Sequence, residues 1–238
     1  SILAQEDIGN NFEIIVVNDG SKDQTAQVVE EYVGKNSRVV LRSLVPNQGR
    51  GAARAMGVKM AQGDYLAFVD ADIILPKNWL KICMEYADRY DAVGGIAIPD
   101  GDVNYIYQLF HLEPKNAKHV ATVSGGNGLY KRRIFEKINF DFELRDGEDV
   151  AFNHQLVFNK FKTYSIRNLE VLHKETKTLL ESLRWMYQSG IGATRQFKRF
   201  KRLRMPDLTY FGFLFVLSVS VYLSIFLSEY RIAMFCIV

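Results

Sequence analysis

Two cysteines, Cys83 and Cys236, are all that 238 residues hold, too few for a disulfide framework or a zinc cluster. Charge of one sign is equally scarce. Against 27 Asp and Glu stand 30 Lys and Arg, a formal +3 that is too small to mark a nucleic-acid binder, so no nucleic-acid partner is expected. No internal repeat, low-complexity stretch or secretory leader is visible, and without an initiator Met the lack of a leader says nothing. Ser1-Ile2-Leu3-Ala4-Gln5 reads as the tail of a helix, and the closing apolar run Ile232 to Val238 stops short. The expectation is a fragment truncated at both ends. What the chain does have is 48% apolar residues beside 24% charged, enough for a globular core and one large α/β domain or two small ones.

Apolar runs alternate with helical patterns through the first hundred residues. Phe12 to Asn18, Val39 to Leu41, Tyr65 to Val69 and Ala92 to Ile96 read as strands. Asp23 to Val33, with Ser21 as N-cap, Ala52 to Ala61 and Trp79 to Arg89 read as helices. Such alternation predicts a parallel-sheet α/β unit. Further on, Val120 to Val123 reads as a strand, Lys131 to Glu136 as a short helix, Gly147 to about Asn159 as a helix, Tyr164 to Val171 as extended, and Thr178 to about Lys201 as a long helix.

Acids punctuate this pattern. Asp19 follows the first strand, Asp70 and Asp72 follow Tyr65 to Val69, and Glu148-Asp149 opens a helix. Ligand crevices of α/β sheets lie at the carboxyl ends of strands. Two neighbouring carboxylates there either ligate a cation bearing a phosphate-containing substrate or lie in a solvated turn. A helix N-terminus favours an ionised carboxylate, so Asp149 reads either as a poised proton acceptor or as an ordinary cap.

In order, the chain carries Val16-Val17-Asn18-Asp19-Gly20-Ser21 with Asp23-Gln24-Thr25, then Asn47-Gln48-Gly49 with Ala53-Arg54, Gly57 and Gly63-Asp64-Tyr65. Asp70-Ala71-Asp72 and Glu148-Asp149 follow. This series, from Phe12 to about His173, resembles the family 2 inverting glycosyltransferases. The resemblance implies a GT-A fold with a mostly parallel sheet, a nucleotide-diphosphate-sugar donor, and Mg2+ or Mn2+ as cofactor. It implies that Asp19 contacts the nucleoside, with Arg50 and Arg54 near the nucleotide, the alternative for Arg54 being a simple pair with a surface acid. Asp70 would lie by the ribose and metal, Asp72 would ligate the metal, and Asp149, with Glu148 beside it, would supply the general base. Gly125-Gly126-Asn127 would wall the donor sugar and acceptor. His173 reads either as a third metal ligand or as a structural histidine after a strand. The family's first strand would precede Ser1, and Asn18 stands where an acid is frequent.

Glu181-x-x-Arg184-Trp185 resembles the Gln-x-x-Arg-Trp motif of processive polysaccharide synthases, which lies near the acceptor, with its first position changed. The favoured reading is an interfacial helix with Arg184 and Trp185 at headgroup level. Arg195 to Arg204, rich in basic residues interleaved with Phe197, Phe200 and Leu203, leads into the uncharged run Leu208 to Ser228, long enough to cross a bilayer. The expected organisation is a catalytic domain at 1–175, a basic interfacial helix at 176–206, and a transmembrane region at 207–238. The positive-inside rule then puts the catalytic domain on the cytoplasmic side of a membrane. The activity expected is sugar transfer to a lipid-linked or saccharide acceptor. A processive polysaccharide synthase and an inactive nucleotide-binding scaffold are the rivals.

Overall fold

The computed structural model describes residues 1–100 except 7, 8 and 10, and residues 123–174 except 146. Beyond these it describes 178, 180–182, 184, 187, 190, 191, 194, 197, 198, 201, 212, 215, 216 and 218–223. The chain divides into a unit of residues 1–103 and 113–176 and a second of residues 104–112 and 177–238.

In the first unit, β1 (Ile14–Asn18) leads through a turn to α1 (Thr25–Lys35), and β2 (Val39–Ser43) to α2 (Arg50–Met60). Then come β3 (Tyr65–Val69), β4 (Ile73–Ile74), α3 (Trp79–Ala87), β5 (Ala92–Pro99), β6 (Asn127–Lys131), α4 (Glu148–Phe158) and β7 (Thr163–His173). β-branched runs form the strands because such side chains fit a pleated, half-buried surface. The start of α1 differs from the expected Ser21 cap. Asp23 accepts from the Thr25 N–H at 3.0 Å and from its hydroxyl, while the Ser21 N–H is itself held by the Asn18 side chain at 2.9 Å.

The expected mostly parallel sheet is corrected. β1 and β2 form a separate parallel pair, and five strands form a mixed sheet ordered β3-β6-β5-β7-β4. Within it β5 and β7 run parallel, whereas β3 with β6, β5 with β6, and β4 with β7 run antiparallel. The reasons are β6, which enters between β3 and β5 against their direction, and β4, which runs against β7 at the edge. β6 starts at Asn127, after the expected Val120 to Val123 strand, of which Val123 alone is described and is not in a strand. An open cleft is lined by β1 on one side and β3 on the other, and no ladder joins these two strands.

Period-two alternation divides the core between the faces of the five-stranded sheet. Val93, Leu129, Leu169 and Val171 pack with Trp79, Cys83 and Ala87 of α3. Burial in this apolar layer pushes the Cys83 thiol up to about 12. On the other face Ala92 and Tyr130 pack with Ile134, Phe140, Phe152 and Leu156, with Phe140 and Phe152 stacked at 4.2 Å between centroids.

In the second unit the described residues from 180 to 198 and from 212 to 223 are helical. Thr178 and Glu181 form a capping box. The Glu181 carboxylate accepts from the Thr178 N–H and hydroxyl, each at 2.8 Å, and the Glu181 N–H reaches back to the Thr178 hydroxyl at 3.3 Å. Most of the expected Leu208 to Ser228 span lies outside the described residues. Among those described, no helix is long and apolar enough to cross a membrane.

Asp91 ties β5 to the turn before β7. Its buried carboxylate accepts the Lys162 N–H at 2.8 Å and the Arg133 guanidinium. Burial pushes this carboxyl up, but the bonds from Arg133 and Lys162 outweigh it and hold the group below the usual carboxylate range. Its contribution is therefore intact above the unfolded value near pH ~4 and is lost as the pH falls through the lower folded value. Asp91→Asn is expected to cost about 1–3 kcal/mol at pH 7 by urea unfolding. The gap to wild type should narrow at pH 3.

Candidate active site

The loop from β3 to β4 carries Asp70 and Asp72, and backbone bonds pin both its ends. The Asp70 N–H donates to Gly126 at 3.0 Å, and the Lys174 N–H donates to the Asp72 carbonyl at 2.8 Å. The two carboxylates serve different neighbours. Asp70 Oδ1 accepts from Arg54 Nη2 at 2.7 Å. Asp72 Oδ2 lies 3.2 Å from His173 Nε2, because β4 pairs with β7 in the register Ile73 opposite His173. Residues 70–73 form a turn, closed by the Ile73 N–H on the Asp70 carbonyl at 3.1 Å. The turn separates the acids, and the β7 ladder supplies the imidazole.

Arg54, on α2, forks between chain segments far apart in sequence. Its second arm, Nη1, pairs with Glu148 Oε1 at the start of α4. Glu148 is 1% exposed, and its Oε2 is buried without a hydrogen-bond partner. This corrects the expectation that Glu148 serves catalysis beside Asp149, since a carboxylate sealed this way does not meet an acceptor hydroxyl. Arg54, expected near the nucleotide, thus directs both arms of its fork at protein acids. The guanidinium lies 5.8 Å from the Phe140 ring centroid, over the aromatic layer.

Asp149 is half-buried on the first turn of α4, where its Oδ1 accepts from the Val150 N–H at 2.8 Å. Gly125 and Gly126 let the acids approach. A Cβ at Gly125 would stand 2.7 Å from Asp149 Cβ, and one at Gly126 would stand 2.4 Å from Asp70 Oδ2. The structure thus gathers Arg54, Asp70, Glu148, Asp149 and the two glycines, with Asp72 and His173 one step along the loop.

The other expected residues have different surroundings. Asp19 clamps the loop before α2, its Oδ1 and Oδ2 accepting the Gln48 and Gly49 N–H groups at 2.7 and 2.8 Å. Each oxygen keeps a second lone pair for a ligand. Arg50 is exposed at the first position of α2. Asn127 is fully buried and cross-braces the sheet. Its Oδ1 accepts from Gly95 N at 2.8 Å and Trp79 Nε1 at 3.2 Å, and its Nδ2 donates to the Gly95 carbonyl at 3.0 Å. That bracing corrects its expected place in the acceptor wall. Arg184 is exposed and helical, and Trp185 lies outside the described residues.

Two participants escaped the sequence reading. Tyr130 is fully buried, and its hydroxyl is pushed up by burial, with the Arg54 charge opposing and the Asp149 and Asp70 charges adding. Tyr130 lies between the expected Val120 to Val123 strand and the expected helix from Lys131, in no expected element. Arg145 binds the Asn47 carbonyl at 2.5 Å, and the Gly51 N–H donates to Leu144 at 3.1 Å, so the 141–145 loop rests on the start of α2. The signal for that contact was Gly51, where a Cβ would lie 2.1 Å from the Asp141 carbonyl oxygen.

A divalent cation of the Mg2+ or Mn2+ kind takes carboxylate and imidazole donors and commonly completes its shell with substrate phosphates and water. Among the described residues no group of three or more His, Cys, Asp and Glu is arranged to hold a metal. The adjoining Asp72 and His173 supply two donors of suitable type, so the residues fit a cation that arrives with a diphosphate.

Residues 1–139 match glycosyl transferase family 2. The chain belongs to that family. It is 28% identical over 227 residues to a putative glycosyltransferase, EpsH, of Bacillus subtilis, covering 82% of this chain and 64% of that one. It is 36% identical over 98 residues to an undecaprenyl-phosphate 4-deoxy-4-formamido-L-arabinose transferase of Edwardsiella ictaluri, covering 40% and 30%. The fold is similar to that of the mannosyltransferase PcManGT from Pyrobaculum calidifontis, solved in complex with GDP-Man and Mn2+. The TM-score is 0.67 at 17% identity, over 90% of this chain and 63% of that one. At that identity the likeness speaks for the fold, a GT-A-like α/β arrangement. The chain spans less than two thirds of the length of each of these proteins.

Removing Arg54 leaves Glu148 charged, buried and unpaired. Arg54→Met is expected to lose about 3–5 kcal/mol in urea unfolding, and Arg54→Met with Glu148→Leu should recover most of it.

Proposed function

We propose that this chain is the catalytic region of an inverting glycosyltransferase that moves a sugar from a nucleoside-diphosphate donor to a lipid-linked acceptor at the cytoplasmic face of a membrane. The observation that carries the reading is the convergence of Asp70 and Asp149 on the Gly125-Gly126 turn, with the Asp72–His173 pair beside it.

Asp149 is the general base. The acceptor hydroxyl gives its proton to the Asp149 carboxylate as its oxygen bonds to the anomeric carbon. The bond from that carbon to the diphosphate oxygen breaks on the opposite side, so the configuration inverts. The carboxylate stands on the first turn of α4, where the backbone N–H of Val150 donates to it. Asp72 and His173 would hold Mg2+ or Mn2+, which when bound offsets the charge developing on the leaving diphosphate. Asp19 and Arg50 border the nucleotide side. The PcManGT complex with GDP-Man and Mn2+ supports this donor and cofactor class.

Three observations support the membrane and lipid reading. The run Leu208 to Ser228 is uncharged and follows a basic stretch. Phe215, Val216, Val219, Val221, Tyr222 and Leu223 expose apolar side chains on helical residues, as an apolar surrounding would permit. The arabinose transferase relative is named for undecaprenyl phosphate. The Thr178–Glu181 capping box accounts for Glu181 as a helix start, which weakens the comparison with processive synthases.

A panel of nucleotide sugars, incubated with the full-length protein, membrane lipid extract and Mn2+, tests the reading. Transfer to a lipid product with inverted configuration is expected, as is loss of activity with a chelator. Asp149→Asn should lower kcat by about 10²–10⁴-fold, and Asp72→Ala should weaken the response to Mn2+. Transfer to a growing saccharide chain would favour the synthase instead, and nucleotide binding without turnover would favour the scaffold.

A further inference from the structure

We propose that Arg54 is a positioning residue. It is a clamp that sets Asp70 and, through Glu148, the Asp149-bearing end of α4 at a fixed separation, and it is not a ligand of donor phosphates. The proposal rests on the transferase reading above, in which Asp149 takes the acceptor proton.

Charge supports it first. The single cation of Arg54 faces two carboxylates, Asp70 and Glu148, so the trio carries a net negative charge and offers a diphosphate no attraction. Burial supports it next, since the Arg54 side chain is 10% exposed and that of Glu148 is 1% exposed. Glu148 Oε2 has no partner, so Arg54 is the group that compensates this buried carboxylate. Connectivity then explains the purpose. Asp70 follows β3, Arg54 lies on α2, and Glu148 precedes Asp149 on α4. A planar fork holds two acceptors at a set angle, which a lysine ammonium does not. Gly125 completes the arrangement, because a Cβ there would lie 3.5 Å from the Arg54 guanidinium and 2.7 Å from Asp149 Cβ. The turn therefore packs on clamp and base together, and a shift in one is passed to the other.

The test uses the full chain in three forms: wild type, Arg54→Lys, and Arg54→Met with Glu148→Leu. UDP and GDP binding with Mn2+ is measured by calorimetry, and kcat and KM are measured on whichever nucleotide sugar the wild type turns over. Arg54→Lys keeps the charge and loses the fork. It should bind the nucleotide within about threefold of wild type and lower kcat by about tenfold to a hundredfold, as a misplaced reacting group does, with KM for the donor nearly unchanged. The double variant removes the buried charge pair. It should regain thermal stability and stay equally slow. Two outcomes overturn the clamp: nucleotide binding by Arg54→Lys weakened more than about tenfold, which marks a phosphate ligand, or a double variant whose kcat returns with its stability, which marks a purely structural pair. A wild-type chain that turns over no donor in the panel sinks the transferase reading, and the clamp falls with it.

Discussion

Arg54 joins three parts of the chain that are otherwise linked by long connections: the helix after β2, the loop after β3, and the helix before β7. A guanidinium shared by two carboxylates is a demanding arrangement. Desolvating the guanidinium and the Glu148 carboxylate is costly, and the cost is offset only when the fork geometry is met. That condition constrains its surroundings. Phe140 and Phe152 stack beneath it, Tyr130 stays neutral beside it, and small residues at 125 and 126 leave room above it. The aromatic layer, the glycine turn and the acid pair are parts of one electrostatic solution.

β6 is the structural means to that solution. Running antiparallel between β3 and β5, it places Gly126 against Asp70 and hands the Gly125 turn to α4. Asn127, at its first position, makes three side-chain hydrogen bonds to Gly95 and Trp79, which hold the strand in register. On the far edge, β4 does the same for the second acid, because pairing with β7 brings His173 to Asp72. Two short ladder contacts thus decide the local partner of each carboxylate in the Asp-Ala-Asp loop.

The parts of this site were visible in the sequence to different degrees. The positions of Asp70 and Asp72 after a strand and of Asp149 at a helix start were legible from the apolar periodicity, whereas their local pattern fits a solvated turn or a helix cap equally well. His173 was half legible, as a lone imidazole after a strand. The roles of Arg54 and Glu148 were not, since no local feature tells a nucleotide-facing arginine from one forked between two acids. Asn127 misled for a related reason: an Asn beside glycines resembles a wall of a pocket until its amide is seen to brace the sheet.

What the amino-acid sequence determined by itself is local. Apolar runs specify strands, the Thr178-x-x-Glu181 spacing specifies a helix start, and the ordered acids specify membership in a sugar-transferring family. These depend on contacts a few residues apart or on order along the chain. The tertiary structure alone decided the direction of β6, the mixed sheet that follows from it, and the pairing of Glu148 with Arg54 across 94 positions. Strand direction and buried charge partners arise from long-range packing, and no periodicity in the chain encodes them.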